Sequence, residues 1–176
     1  MNWKQLLSNK RFGLENLHEA RKEDRTEFQR DYDRLIFSAP FRRLQNKTQV
    51  FPLPGSIFVH NRLTHSLEVS CVGRSLGNKI ASELLKLHPE LHDTHISEIG
   101  SIVSAACLAH DLGNPPFGHS GEKAIGTYFS EGKGRILQAY LSAKEWDDFT
   151  HFEGNANAFR LLTHQFQGRR PGGFVL

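Results

Sequence analysis

A chain of 176 residues, 38% hydrophobic and 23% charged, is long enough for one domain with a sizeable core and is not composed like a disordered tail. Its formal charge of +3, spread over scattered Lys and Arg, does not point to nucleic-acid binding as the main function but leaves phosphate contacts open. No apolar run approaches the roughly 18 to 20 residues that a membrane-spanning helix needs, and "MNWKQLLSNKRFG" lacks the apolar region of a signal peptide. Cys71 and Cys107 sit in apolar helical patterns without Cys-x-x-Cys spacing, which predicts reduced core thiols in a reducing cytoplasm.

In chain order, residues 14–37 form a charged stretch in which Phe28, Tyr32, Leu35 and Ile36 recur at three- and four-residue spacing, predicting a surface helix. Within residues 41–59, "TQVFPLPGSIFV" mixes β-branched and aromatic residues with Pro52, Pro54 and Gly55, which suits a short hairpin or extended loop near residues 48–60. A long helix is expected from about Arg62 to Leu87, ending before Pro89, with Val69, Val72, Leu76, Ile80 and Leu84 along its buried stripe. His65 lies on that stripe. A second helix, from about His95 to Leu112, is expected to bury Ile99, Val103 and Ala106, and the next position on that ladder is His110. Two histidines are therefore expected to point into one core. Downstream, "FEGNANAFRLLTHQF" reads as an amphipathic helix and "QGRRPGG" as its stop; "FVL" then opens an apolar segment without a partner, which predicts a fragment truncated at its C-terminus.

The chemistry concentrates in "CLAHDLGNPPFGHSGEKAI", residues 107–125. A single histidine on an apolar face is more often a core residue than a ligand. Neutral imidazoles buried beside a carboxylate each require a partner, however, and one divalent cation supplies it to His65, His110 and Asp111 together. Adjacent His110 and Asp111 point about 100 degrees apart on a regular helix, so both reach one ion only where the backbone unwinds. Pro115 and Pro116 fix the angle of Phe117-Gly118-His119 after that end. Arg62, one turn before His65, can fork onto phosphate oxygens or can be an ordinary arginine at a helix start. His119 can protonate a leaving oxygen, with Glu122 orienting it; the same spacing allows Ser120 to cap a helix whose first turn holds Glu122.

"NRLTHS" followed by "AHDLGNPPFGHSGE" resembles the HD-domain metal phosphohydrolases, and more narrowly the deoxyguanosine triphosphate triphosphohydrolase (dGTPase) and dNTP triphosphohydrolase family. The likeness extends to "FSAPFRRLQNKTQVFPL" and "HFEGNANAFRLLT". It implies an all-α helical HD-domain fold, of which residues 1–176 would be the N-terminal part, and hydrolysis of a deoxynucleoside triphosphate to the deoxynucleoside and inorganic triphosphate. It implies His65, His110 and Asp111 as ligands of a divalent cation, Mg or Mn foremost, with Ni, Co or Zn as alternatives. His119 and Glu122 match the catalytic neighbourhood, and Gln49 and Val50 match positions that contact sugar and base. The family's fourth ligand, a later aspartate, has no counterpart: Asp147 and Asp148 lie in a charged, exposed segment, so the fragment alone is expected to hold metal loosely and to be inert. The resemblance further implies a homo-oligomer, commonly a hexamer, and single-stranded DNA as an effector in some members. The competing expectations are another HD phosphohydrolase, acting on a phosphomonoester or cyclic phosphodiester, and an inactive regulatory or nucleic-acid-binding module.

Overall fold

The computed structural model describes residues 2–10, 25–47, 61–164 and 168, and among them the chain is helical without a β-strand. In order come α1 (Trp3–Leu6), α2 (Glu27–Phe37), α3 (Ala39–Arg43), α4 (Arg62–Leu87), α5 (Ile99–Ala109), α6 (Gly118–Ser130), α7 (Ala143–Thr150) and α8 (Gly154–Thr163). Single turns of 3₁₀ helix at Leu44–Asn46, Pro89–Leu91 and His95–Glu98 and a longer 3₁₀ stretch at Lys133–Tyr140 join them. The predicted hairpin near residues 48–60, Gln49 and Val50 within it, the first part of the helix predicted over 14–37 and the terminal "FVL" lie outside the described residues. No described helix is long and apolar enough to cross a membrane.

Local chemistry sets the helix ends. Ser38 closes α2 and opens α3: its hydroxyl donates to Leu35 O at 2.7 Å and accepts from Phe41 N–H at 3.2 Å, so one buried side chain serves two orphan backbone groups. Asn61 caps α4 by accepting the Thr64 N–H at 2.9 Å, which fixes the turn that carries Arg62 and His65. From there α4 runs 26 residues to the stop before Pro89, the bounds expected from the sequence.

Which face of α4 is buried differs from the expectation. Val72, Leu76 and Ile80 are 60%, 57% and 54% exposed, while Arg62, Ser66, Ser70, Gly73, Gly77 and Ala81 are buried. Across the interface α5 buries Gly100, Ser104 and Leu108; Ile99 and Val103 are half-buried and Ala106 is exposed. The reason is backbone approach. A β-carbon on Gly77 would stand 2.9 Å from Gly100 Cα, so the two helices meet along a seam too narrow for large side chains. Hydroxyls stitch the seam: Ser70 Oγ and Ser104 Oγ are 2.8 Å apart, and Arg74 donates to Ser104 Oγ through Nε and Nη2 at 3.2 and 3.1 Å. The cysteines are free; Cys71 is exposed and Cys107 half-buried, so neither is the core thiol expected.

The main apolar core lies at one end of this pair, where Leu35, Phe41, Leu44, Leu108, Ala109, Leu112 and Ala158 pack together. It joins α2, α3, α5 and α8 directly beneath the turn that follows α5. A smaller cluster of Leu7, Leu91 and Ile96 closes the opposite end.

Candidate metal centre

Helix α5 ends at Ala109, three residues earlier than expected, and His110 and Asp111 occupy the turn beyond it. That early end is what brings both side chains toward α4. His65 and His110 meet edge to face with ring centroids 5.3 Å apart, and one ligand atom from each of His65, His110 and Asp111 lies within 4.8 Å of the others. The histidines sit at the rim of the α4–α5 seam and not inside a core: the His110 side chain is 38% exposed, and that of Asp111 is 6% exposed.

Hydrogen bonding aims these groups. His110 Nδ1 is 2.7 Å from Cys107 O, and because a carbonyl only accepts, Nδ1 carries the proton and Nε2 keeps its lone pair. On Asp111, Oδ1 accepts from Arg62 Nη1 at 2.7 Å and from Asn114 Nδ2 at 2.6 Å. Oδ2 is buried without a hydrogen-bond partner. An orphaned carboxylate oxygen is costly to bury, and on a carboxylate whose other oxygen lies 3.6 Å from His110 Nε2 it leaves capacity to bind a cation. The donor set, two imidazole nitrogens and one carboxylate oxygen, fits a borderline divalent cation.

Arg62 is not the surface arginine that its helix-start position allows. It is buried, ion-paired to Asp111, and covered by the first turn of α6, where a β-carbon on Gly118 would lie 3.3 Å from Arg62 Nη2. Its Nε is buried and unpartnered, leaving donor capacity for an anion. Lys47 completes the cationic side: it donates to Asn114 O at 2.9 Å, and burial first, then the Arg62 charge, holds its amine below the ordinary lysine value.

His119 stands exposed in the first turn of α6, outside the His65–His110–Asp111 cluster. Ser120 does not cap that helix. Phe117 does so with no side-chain bond, in the left-handed region at φ 67°, a conformation that strains a non-glycine residue by about 1–3 kcal/mol and is characteristic of functional loops. Glu122 has a partner that spacing did not reveal: its Oε1 accepts the Gly154 N–H at 2.9 Å, tying α6 to the start of α8. Asp147 and Asp148 are exposed on α7, as expected, and do not join the cluster. Asn114 and Lys47 were missed; the Asp-x-x-Asn spacing of a turn was the available signal for the first, and the second stood unassigned in "FRRLQNKTQV".

A profile of the HD domain matches residues 62–170, which includes all three cluster residues. The chain belongs to the HD-domain family. Among curated relatives, a deoxyguanosinetriphosphate triphosphohydrolase-like protein of Synechocystis sp. is 52% identical over 178 residues, covering 100% of this chain and 40% of the relative. One of the same name from Pseudomonas aeruginosa is 51% identical, covering 96% of this chain and 38% of that protein. A deoxyguanosinetriphosphate triphosphohydrolase of Yersinia enterocolitica is 39% identical, covering 92% and 38%. This HD domain thus spans about two-fifths of the length of the relatives it matches.

Proposed function

We propose that the protein to which this HD domain belongs is a metal-dependent dNTP triphosphohydrolase, releasing inorganic triphosphate and the deoxynucleoside. The observation that carries the reading is the convergence at the end of α5 of one ligand atom each from His65, His110 and the buried Asp111 carboxylate, all within 4.8 Å of one another. The names of the relatives supply the substrate class, and Gln49 and Val50 are proposed to contact the sugar and base. A divalent cation on His65, His110 and Asp111, of the kinds named above, supplies charge neutralisation at the phosphate.

The chain's own residues divide the remaining work. Breaking the bond between the α-phosphorus and the 5′-oxygen needs positive charge beside the phosphate and a proton for the departing oxygen. Arg62 holds Asp111 through Nη1 and keeps Nε for a phosphate oxygen, while Lys47 adds a second cation on the same side. His119, exposed at the first turn of α6, is the proposed proton donor; Glu122 would serve it by anchoring α6 to α8 and not by direct contact. Homo-oligomerisation and a single-stranded DNA effector belong to the same proposal and rest on the resemblance alone.

The test is product analysis with each dNTP and Mn²⁺ on the full chain. Triphosphate plus deoxynucleoside supports the reading; orthophosphate from a monoester, or cleavage of a cyclic diester, would assign a different HD phosphohydrolase. His119→Ala should retain metal while kcat falls on the order of 10² to 10⁴, and loss of metal in that variant would make His119 a ligand.

A further inference from the structure

One amide outside the three cluster residues, that of Asn114, bonds Asp111, and α8 packs behind the turn that carries it. Asn114 Nδ2 donates to Asp111 Oδ1, and Asn114 Oδ1 rests against the backbone of Gly154 so closely that a β-carbon there would overlap it. Asn157 Nδ2 donates to Gly113 O at 2.9 Å, and a β-carbon on Gly113 would overlap Gly154 O and Ala158 N. Gly154 itself is fixed by Glu122 Oε1, and Asn114 O by Lys47 Nζ. The Asn114 amide is thus trapped between a carboxylate and a helix start that has no side chain.

We infer that Asn114 and Gly154 are positioning residues of the metal centre: the start of α8 presses the Asn114 amide onto Asp111 Oδ1, which fixes the carboxylate beside His110, whose Nε2 lies 3.6 Å from that oxygen. The inference rests on the metal reading above. Its physical basis is geometric. A carboxylate held through one oxygen by Arg62 and Asn114 loses rotation about its last bond, so its placement beside His110 Nε2, 3.6 Å away, is fixed before any ion arrives. Arg62 alone leaves one hinge; the amide removes it.

The experiment is Mn²⁺ titration of the full chain, reading free Mn²⁺ by electron paramagnetic resonance, with thermal melts in chelator as the measure of folding. Asn114→Ala and Gly154→Ala should each weaken Mn²⁺ binding about 10- to 100-fold, the usual effect of losing an outer partner of a metal ligand. The double variant should bind no worse than Asn114→Ala, because the severe clash at Gly154 is with the side chain already removed and the lesser one is with Glu122 Oε1, the far end of a flexible side chain. Ser70→Ala, which breaks the seam hydroxyl pair away from the ligands, should lower the melting temperature and leave Mn²⁺ affinity unchanged. Affinity within twofold of the parent in a folded Asn114→Ala overturns the inference. So does Ser70→Ala weakening Mn²⁺ as much at equal loss of melting temperature, since general softening would then suffice. Should Gly154→Ala fail to fold, Asn114→Ala against Ser70→Ala still decides. Failure of the parent chain to bind Mn²⁺ overturns the metal reading and this inference with it; binding by the parent and unchanged affinity in Asn114→Ala removes this inference only.

Discussion

Asp111 has two hydrogen-bond partners on one oxygen and none on the other, which gives it a structural role beside the metal-binding role proposed for it. The two roles separate by substitution. Asp111→Ala strands the buried Arg62 guanidinium, so it should lose metal and also destabilise the metal-free chain by about 3–5 kcal/mol. His110→Ala removes a ring that is 38% exposed and should abolish metal retention at little cost in chelator melts. Equal melting temperatures for the two variants in chelator would show that the Arg62 pair contributes nothing. At this scale the ligands were legible, because His65, His110 and Asp111 stand near helix ends in a recognisable pattern. Asn114, Lys47 and the Gly154 partner of Glu122 were not. For Lys47 and Gly154 the roles arise from chain segments brought together across 67 and 32 residues, which no local spacing records; Asn114 stands three residues after Asp111, a spacing shared with ordinary turns.

The bounds of α4 could be read from its flanking Asn61 and Pro89, yet its buried face could not. Large apolar residues dominate any periodicity count, and in the middle of α4 Val72, Leu76 and Ile80 mark the exposed side; the side that packs there is made of Ser, Gly and Ala, whose contribution is nearness and not hydrophobicity. This inversion predicts an inverted mutational response. Gly77→Ala should destabilise by about 1–3 kcal/mol through collision with Gly100, whereas Ile80→Ser should stay within about 0.5 kcal/mol in urea unfolding of the isolated chain. A larger loss at Ile80 would mean that the stripe is covered. Helix α8 carries a pH dependence. Glu153 caps it, and the Ala156 N–H above all, then that of Asn155, holds the carboxyl below its ordinary 4.5. A depressed folded value means stabilisation fully present above 4.5 and lost as pH falls through the folded value. Acidification should therefore lower the protection of the Asn155 and Ala156 amides relative to their intrinsic exchange rates, and Glu153→Gln should flatten that dependence.

Across the molecule, a cation would join the start of α4 to the end of α5 and act on the whole fold by mass action. At about 100 times its dissociation constant it adds about 2.7 kcal/mol, which for a chain of this size raises the melting temperature by about 5–11 °C. A calorimetric scan with and without Mn²⁺ measures it; no shift at saturation would mean that the ion binds unfolded chain equally well. The seam between α4 and α5 also sets a calendar. All three ligands lie on one helical hairpin, complete by residue 111, and contacts between neighbouring helices form early. The loop beside them is held from upstream by Lys47, and its second support comes from Asn157, 44 residues after Gly113. A growing chain therefore owns the cluster well before it owns that support, and firm placement of the turn that carries Asp111 waits until residue 157 has been made.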